Sequence, residues 1–430
     1  MKVLIVYERK NRELETAVLL KIKLENIGIQ CDLSQFYEVS YYCFFHNSNY
    51  DFVFVPHLYN DEEVFRTLAR FGNKTQIINL QYEQVLSKKW EDLGHHTPSG
   101  IAQKYMHVCW GNATKERLVD AGIDDNDALL VGAMHLDLLQ DSTCVTKHFK
   151  ENVANIFGLP MDKKWNLFLS SFTYADISDE RLRQNEEIAK TDLSYFKHIH
   201  TSSRNEIIKW LDDVLSLDND SILIYRPHPD ESDLSKLSYL EEKYDNFFVI
   251  AYSSAKDWIQ SCDLILSWYS TTVVESHLLN KPYAILRPLE LSDDFDSVLL
   301  KKGRFIENLE EFRDGVYLSG NFKGKALNDD DVANYYGSVK GGAVDRLIEV
   351  LTGRNDVDKK LVKVNVPFLY VFKAFLVVII KAIYKLESRL GIEFIKIPFF
   401  RSLFFDFKNQ IASKKEIEEM ARFVKFKIDN

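Results

Sequence analysis

The sequence is poor in the residues that build disulfide scaffolds and low-complexity chains. Its 430 residues include five cysteines, 17 glycines and nine prolines, and no two cysteines form a Cys-x-x-Cys pair. Disulfide frameworks and structural zinc modules need more paired cysteines, and disordered or collagen-like chains need far more glycine and proline. We therefore expect a globular protein in a reducing compartment, long enough for two domains.

Positive charge is also in short supply. The chain has 54 Lys or Arg against 64 Asp or Glu, a net charge of −10, so no overall field attracts phosphates and a general nucleic-acid binder is not expected. The imbalance is uneven, because residues 359–430 hold 15 basic and 7 acidic residues, a net charge of +8. An acidic body with a basic, aromatic-rich tail is predicted.

Several motifs and segments are absent as well. The sequence has no G-x-G-x-x-G motif and no Walker loop, so it gives no support for a dinucleotide-dependent or ATP-dependent enzyme. The opening apolar run is short and is followed at once by Glu8, which argues against a secretory leader and favours a cytoplasmic body. Two Asp-x-Asp segments, at residues 125–127 and 218–220, precede predicted strands and are interpreted as solvated turns. We expect neither a metal nor a cofactor.

What the sequence does contain is an alternation of short apolar runs and amphipathic segments. Continuous apolar runs of four to six residues, each followed by a helix, predict parallel sheets buried on both faces. The pattern starts at residue 3 and restarts near residue 167. It predicts an α/β fold with an N-terminal domain over 1–150, a second domain over 151–355 and a tail over 356–430.

One chemically distinctive segment is residues 224–231, where a histidine lies between two prolines directly after a predicted strand. Each proline fixes its own φ and donates no hydrogen bond, so the strand stops and the imidazole direction is preset. Arg226 and His228 can both donate to phosphate oxygens. The alternative is a turn that simply contains a histidine.

A second segment places hydroxyl groups after the predicted strand at residues 263–266. Ser270, Thr271 and Thr272 begin a predicted helix, and hydroxyls with free N–H groups at a helix start form an anion site. Glu275 lies four residues after Thr271, on the same helix face, where it could bind ribose hydroxyls. The alternative is ordinary N-capping by Ser270 or Thr271.

Together these segments resemble a known family. Arg226-Pro-His-Pro, the stretch Ser-x-x-Ser-Thr-Thr-x-x-Glu ending at Glu275, and Asn280-Lys-Pro resemble the C-terminal domain of GT-B glycosyltransferases. They are similar to the bacterial surface-carbohydrate group, which includes teichoic-acid-type CDP-polyol phosphotransferases and the Kdo and sialic acid transferases with His-Pro and Ser/Thr motifs. Segments 7–15, 110–111 and 131–137 resemble the same group, although the last is more often Thr-Gly-Asn-Pro-Arg-x-Asp there.

The resemblance covers about residues 1–350 and implies a GT-B fold, with two Rossmann-like domains facing across a cleft. It implies an acceptor side in the N-terminal domain and a nucleotide-donor side in the second. The implied donor residues are Arg226 and His228 at the phosphate, Ser270, Thr271 and Thr272 around the same phosphate, and Glu275 at the ribose. His228 would also be catalytic, because it would offset charge on the leaving phosphate.

The general base is expected in the N-terminal domain, at the carboxyl end of a strand. Glu83 follows the predicted strand at residues 76–80 and is the first candidate. Glu8, after the first strand, and His57, after the strand at 52–55, are the alternatives. His95 lies in a Gly/Pro/Ser loop that is interpreted as acceptor-side.

The tail favours a membrane surface. Residues 367–384 are apolar but are interrupted by Lys373 and Lys381, so a spanning helix is disfavoured. On a helix, Lys373, Lys381, Lys385 and Arg389 fall near one side, which predicts a helix lying in the plane of an anionic membrane. Residues 394–407 repeat this chemistry. The alternatives are a helical hairpin packed on the body and a single-pass helix.

The sequence as a whole predicts a metal-independent GT-B glycosyltransferase that is peripheral on the cytoplasmic face of the membrane. Its donor would be a nucleotide-activated sugar or polyol, and its acceptor a lipid-linked glycan of a surface polysaccharide such as capsule, O-antigen or teichoic acid. The other possibilities are a CDP-polyol phosphotransferase, a UDP-sugar 2-epimerase, which would not need the basic tail, and a non-catalytic scaffold.

Overall fold

The computed structural model describes residues 1–38, 50–72, 75–139, 143–228, 231, 233–320, 322–337, 341–353, 362–390, 404 and 407–429. The chain forms two compact units. Unit 1 consists of Met1–Gln84, His96–Leu138 and Tyr336–Asp429, and unit 2 of Val85–His95 and Leu139–Tyr335. The units are therefore discontinuous in sequence, because a short segment joins unit 2 early and the chain returns to unit 1 at Tyr336.

Twelve strands are described. In chain order they are β1 (Lys2–Tyr7), β2 (Gln30–Gln35), β3 (Phe52–Val55), β4 (Gln76–Asn79), β5 (Met106–Cys109), β6 (Ala128–Leu130), β7 (Lys164–Leu169), β8 (Ser221–Arg226), β9 (Phe247–Val249), β10 (Leu264–Ser267), β11 (Tyr283–Leu286) and β12 (Phe305–Ile306).

The α-helices of the described residues alternate with these strands. They are α1 (Lys10–Asn26), α2 (Asp61–Phe71), α3 (Lys88–Asp92), α4 (Asn112–Asp120), α5 (Thr143–Phe157), α6 (Asp179–Ala189), α7 (Ser194–Leu217), α8 (Ser235–Lys243), α9 (Ala255–Ser261), α10 (Val273–Leu278), α11 (Asp329–Tyr336), α12 (Ala343–Gly353), α13 (Phe368–Leu390) and α14 (Lys414–Asp429). Short 3₁₀ turns lie at Gly100–Lys104, Met134–Leu136 and Leu300–Lys302, and a π-helical segment at Glu311–Tyr317.

Unit 1 is built on a six-stranded sheet of order β2-β1-β3-β4-β5-β6, in which every pair is parallel. The FVFV sequence of β3 is buried along its whole length, as expected for a strand covered on both faces. The strand order reverses between β1 and β3. In open α/β sheets such a reversal opens a crevice at the carboxyl ends of the strands, where ligands bind.

Unit 2 is built on a second parallel sheet, of order β12-β11-β10-β7-β8-β9. Its core includes Phe168, Trp210, Tyr225, Leu266 and Phe312. The order is that of a Rossmann sheet and reverses between β7 and β10. The crevice of unit 2 is therefore expected at the ends of these two strands.

The last part of the chain packs on unit 1. Helix α14 lies against α1, where the buried ammonium of Lys427 contacts Glu15 Oε1 at 2.8 Å. Lys10 pairs with Glu416 at 2.8 Å, and the hydroxyl of Tyr7 accepts from the backbone N–H of Ala412 at 2.9 Å. The C-terminal helix of the basic tail is thus part of the body of unit 1.

Candidate functional site

In unit 2, the two motif segments follow β8 and β10, which flank β7 in the sheet. Arg226 is the last residue of β8, and His228 follows two residues later. The hydroxyl segment Ser270–Thr272 begins three residues after β10 ends. Because all three strands are parallel, both segments lie at the carboxyl edge of the sheet, at its reversal of strand order.

Arg226 has one guanidinium nitrogen with a hydrogen-bond partner and one without a partner in the part of the chain that the structure describes. Its Nη2 donates to the backbone oxygen of Ser253 at 2.8 Å, while its Nε is buried without a hydrogen-bond partner among the described residues. Burial lowers the pKa of Arg226, and the carboxylate of Asp257 acts in the opposite direction. A buried guanidinium N–H that lacks a partner favours an anionic ligand at this edge.

The hydroxyl segment is ordered by its own side chains. The hydroxyls of Ser270 and Thr272 lie 2.6 Å apart, and Thr272 N–H donates to Ser270 Oγ at 3.3 Å. The following helix is only six residues long, and the side chain of Thr272, the residue before it, makes no capping hydrogen bond. The bond from Thr272 N–H to Ser270 Oγ is the N-terminal cap that the alternative interpretation named, so capping by Ser270 and binding of an anion both stay open. The segment forms a turn of hydroxyls that leads into a short helix.

Glu275 is buried inside that short helix, with 6% of its surface exposed. Burial raises its pKa to about 7, and the backbone N–H and the Lys256 ammonium oppose the rise. A carboxylate with this pKa is close to half-ionised at neutral pH. It can act as either donor or acceptor toward a hydroxyl group.

A buried network of hydrogen bonds around Glu231 holds the segment that carries His228. The sequence analysis did not predict this network. The carboxylate of Glu231 accepts from the hydroxyls of Ser170 and Tyr225, and its backbone N–H donates to His228 O at 2.9 Å. Arg204 Nη1 lies 3.9 Å from Glu231 Oε1. Burial raises the pKa of Glu231, while the two hydroxyls and Arg204 oppose the rise. Glu231, the last residue of segment 224–231, therefore anchors that segment.

In unit 1, the three base candidates follow β1, β3 and β4, which are neighbours in the sheet. His57 lies between two carboxylates, with its Nε2 3.7 Å from Glu8 Oε2 and its Nδ1 3.1 Å from Glu63 Oε1. Burial acts to lower the pKa of His57, but the Glu63 and Glu8 carboxylates outweigh it, so the net shift is upward. The structure brings Glu8 and His57 together at the reversal of strand order.

Glu83 is half-exposed and lies beside one arginine and one histidine. Its Oε1 accepts from Arg12 Nη1, and its Oε2 lies 3.7 Å from Nε2 of His96. Arg12 in turn pairs with Glu13 at 3.0 Å. Glu13 is buried and accepts from the backbone N–H of Glu8 at 2.6 Å, so the turn after β1 and the turn after β4 are joined through Arg12.

Solved structures of carbohydrate-active enzymes share this architecture. UDP-GlcNAc 2-epimerase from Neisseria meningitidis, bound to UDP-GlcNAc, is similar with a TM-score of 0.52 and 12% identity, over 82% of this chain and 100% of that one. The chain has the GT-B fold. The wall teichoic acid polymerase TagF (TM-score 0.50, 12% identity, 82% and 88% coverage) and the 2-epimerase from Methanocaldococcus jannaschii (0.50, 14%, 82% and 100%) are similar too.

At these identities the similarity concerns the fold. No protein-family model and no curated protein matches the sequence. The prediction of two Rossmann-like α/β units in a GT-B protein is confirmed.

This GT-B chain also places residues in the unit 1 site that the sequence analysis did not select. Glu63 holds His57, and Tyr59 stacks on His57 and on His96 with ring centroids 6.0 Å and 4.8 Å apart. His95, which the loop composition favoured, packs on Trp90 in unit 2 at 5.2 Å. Its neighbour His96 is the histidine beside Glu83. The only sequence signal for His96 was its position in the same loop.

The segment that carries Glu83 is fixed by buried amides. Gln84 Nε2 donates to Gln81 O and Val108 O at 3.0 and 2.8 Å, and its Oε1 accepts from Trp110 N–H at 2.8 Å. Gln81 has a φ of +47°, a left-handed conformation that is costly for a non-glycine residue and clusters at functional sites. Gln81 and Gln84 therefore position the turn after β4.

Helix α13 of the tail packs on unit 1 with one side and is exposed on the other. Its inner side packs on unit 1, where Tyr370 contacts Phe65 at 5.3 Å and Lys381 pairs with Glu38 at 2.6 Å. Its outer side exposes large apolar residues, defined here as the α13 apolar face: Phe368, Leu369, Phe372, Phe375, Leu376, Ile379 and Leu386. Lys381 is thus engaged with the body. Most of the predicted repeat at 394–407 lies outside the described residues.

The described residues contain no group of three or more His, Cys, Asp or Glu side chains placed to hold a metal ion. Among the same residues, no helix combines the length and apolar character that crossing a membrane requires.

Proposed function

We propose that this GT-B protein transfers a sugar from a nucleotide-activated donor to a lipid-linked surface-polysaccharide acceptor. The observation that carries this proposal is the carboxyl edge of the unit 2 sheet. Arg226 Nε is buried there with no hydrogen-bond partner among the described residues, and the same edge carries the Ser270–Thr272 hydroxyls and Glu275, whose pKa burial raises to about 7. This set matches the chemistry of a nucleoside diphosphate: anionic oxygens for the guanidinium and hydroxyls, and ribose hydroxyls for Glu275.

In this proposal the donor belongs to unit 2. Arg226 and His228 donate to the leaving phosphate, Ser270, Thr271 and Thr272 bind the same phosphate, and Glu275 binds the ribose. These donors offset the charge that develops on the phosphate, which is the main electrostatic task of such a transfer.

The acceptor is assigned to unit 1, with Glu83 as the general base. Glu83 is half-exposed, so an acceptor hydroxyl can reach it, and Arg12 fixes one of its oxygens. Glu8 and His57 are the second and third candidates. His57 is engaged by two carboxylates, which favours a protonated imidazole and weakens its case as the base.

Two other reactions suit the same fold. TagF is named as a wall teichoic acid polymerase, and other similar structures are UDP-GlcNAc 2-epimerases. A CDP-polyol phosphotransferase would use the same donors of unit 2 at a phosphate. The α13 apolar face favours transfer to a lipid-linked acceptor over epimerisation of a soluble nucleotide sugar, because an epimerase needs no membrane. A scaffold that binds nucleotide without turnover is the remaining alternative.

We also propose that the protein is peripheral on the cytoplasmic face of the membrane, bound through the α13 apolar face and nearby basic residues such as Lys373 and Lys385. Seven exposed apolar side chains on one helix side bury substantial area in the interfacial region, and the cations contribute attraction to anionic lipids.

A binding panel tests the donor assignment. Thermal stability is measured with CMP, CDP, UDP and GDP and with conjugates that include UDP-GlcNAc and CDP-glycerol. Since a ligand that binds only the folded state stabilises it, one nucleotide series should raise Tm. Arg226→Ala should abolish that rise, and the exposed Arg183→Ala on α6 should retain it. A panel without any stabilising nucleotide would contradict the proposal.

A further inference from the structure

The imidazole of His96 is set against both ends of Glu83. Its Nδ1 lies 3.2 Å from the backbone oxygen of Glu83, and its Nε2 lies 3.7 Å from Oε2 of the Glu83 side chain. The two ring nitrogens therefore face two different acceptors of one residue. Arg12 occupies the other carboxylate oxygen, Oε1.

We assign the tautomer of the neutral ring from the shorter of these two contacts, the one between Nδ1 and Glu83 O at 3.2 Å. A carbonyl oxygen can only accept a hydrogen bond, so Nδ1 must carry the proton that is donated to Glu83 O. In the neutral imidazole, Nε2 then has no proton and turns its lone pair toward the carboxylate. His96 thus offers Glu83 a basic nitrogen at a distance that a small side-chain rotation, or one water, can close.

Other groups hold the ring in this position. Tyr59 stacks on it with a centroid separation of 4.8 Å and an interplanar angle of 11°. Gln81 Nε2 donates to the backbone oxygen of His96 at 3.3 Å. The φ of His96 is +55°, a conformation that non-glycine residues rarely adopt and that persists where the surroundings fix it.

We propose that His96 is a proton relay for Glu83, an inference that rests on the proposed role of Glu83 as base. When the acceptor attacks, its oxygen forms the new bond to the anomeric carbon of the donor sugar, and the bond from that carbon to the phosphate oxygen breaks, so its electron pair leaves with the nucleotide. The acceptor O–H bond breaks in the same step, and its proton passes to Glu83 Oε2. The proton then moves to His96 Nε2, which gives an imidazolium beside a regenerated carboxylate. Water removes the same proton, and both groups return to their starting states.

The relay would remove the proton that Glu83 takes up in each turnover. A carboxylate that keeps its proton cannot begin the next turnover, and the Arg12 contact favours its return to the ionised form. His96 gives the proton an exit that avoids the acceptor hydroxyl. His96 does not touch the donor in this scheme, so its loss should lower kcat with little change in donor KM.

The tautomer can be measured directly. In the full-length protein labelled with ¹⁵N-histidine, the signals of His96 are those missing from His96→Asn. Long-range ¹H–¹⁵N spectra at a pH where the ring is neutral should show a protonated Nδ1 and an unprotonated Nε2. A protonated Nε2 in the neutral ring would overturn the relay.

Kinetic variants test the transfer itself. Asparagine tolerates a positive φ, and its amide can donate to Glu83 O, but it offers no basic nitrogen. His96→Asn should therefore lower kcat by about 10- to 100-fold, less than the roughly 10²- to 10⁴-fold that a general acid or base itself contributes, because Glu83 is still present. The exposed His198 on α7 gives the matched control, His198→Asn, which should keep wild-type kcat.

Chemical rescue separates proton transfer from a structural role. His96→Gly also tolerates the positive φ and leaves space for added imidazole, which should restore at least a tenth of wild-type kcat. Methyl-substituted imidazoles of higher basicity should restore more. Wild-type kcat in His96→Asn, or no rescue of a folded His96→Gly, would overturn the relay. If Glu83→Gln instead keeps full activity, the base assignment itself fails.

Discussion

At the scale of single residues, the buried carboxyl of Glu275 links stability to pH. Its pKa rises to about 7 because burial disfavours the charged form. Between the ordinary glutamate pKa and about 7, the folded state keeps a proton that the unfolded state has lost. Stability contributed by this group is therefore present at low pH and is lost as pH rises through this window.

Glu275→Gln should remove that dependence. The free energy of unfolding should be measured at about pH 5 and about pH 8. Between these two pH values, it should fall by on the order of 2–3 kcal/mol more in the wild-type protein than in the variant, since each pKa unit corresponds to about 1.4 kcal/mol. The exposed Glu187→Gln on α6 is the control. Parallel pH profiles for wild type and Glu275→Gln would show that the carboxyl is ionised throughout.

His228 is the second test at this scale. If it donates to the leaving phosphate, His228→Ala should lower turnover by about 10²-fold, as expected for one lost electrostatic contact in a dry site. The fold should persist, because Glu231 anchors the segment through the hydroxyls of Ser170 and Tyr225. The assignment would be abandoned if steady-state assays gave near-normal turnover with an unchanged circular dichroism spectrum.

Sequence reasoning selected some residues of the candidate site and did not select others, for a physical reason. Glu8, His57 and Glu83 were predictable because each follows a continuous apolar run, and the ends of parallel strands meet at one edge. Glu63 and His96 were not. Glu63 meets His57 only through the way α2 packs in three dimensions, and the position of His96 depends on the path of a loop and on stacking against Tyr59. Neither of those leaves a periodic signal in the sequence.

At the scale of elements, the apolar strands were the predictable part. Strand β3 has the predicted bounds, since its four residues are apolar and fully buried. Strand β2, with the sequence QCDLSQ, was missed because it lies at the end of the sheet order and pairs with β1 alone. An edge strand needs no continuous apolar run.

The α13 apolar face gives an element-scale prediction. Phe372→Asn with Phe375→Asn should weaken binding of the full-length protein to anionic vesicles several-fold in a flotation assay, because each buried aromatic ring contributes apolar area. Ile188→Asn, at an exposed apolar site on α6, should bind normally. High salt should weaken binding only in part, since salt does not screen apolar burial.

The result could fail in two ways. Full-length protein that stays in the supernatant with such vesicles would remove the membrane assignment. Protein that binds equally well after both phenylalanine substitutions would move the contact to another part of the tail.

Helix α14 tests how far the tail belongs to the body. Lys427 is buried opposite Glu15, so Lys427→Ala should destabilise unit 1 by about 3 kcal/mol, the cost of breaking a buried ion pair. Lys415→Ala, which removes an exposed pair with Glu419, should cost less than about 1 kcal/mol. Equal effects in urea unfolding would mean that α14 is not held as described.

At the scale of the whole molecule, the return of the chain to unit 1 at Tyr336 could not be predicted from local sequence. Tyr336 packs on Trp110 at 5.2 Å, and the carboxylate of Asp137 accepts from the N–H groups of Ala343 and Val344 at 2.9 and 2.7 Å. These are contacts between residues about 200 positions apart, which no local pattern reports.

A chain cut after Gly353 would lose α14, which packs on α1. Point variants are therefore better probes of membrane binding than truncation.

The most direct test of the central claim is to follow a labelled donor from the stabilising nucleotide series, incubated with the full-length protein and with membranes as the source of lipid-linked acceptor. Release of free nucleotide should match incorporation of label into lipid-linked glycan, and Glu83→Gln should abolish both. Without acceptor, the donor should persist unchanged. Epimerised sugar formed without acceptor, or nucleotide binding without any turnover, would contradict a transferase.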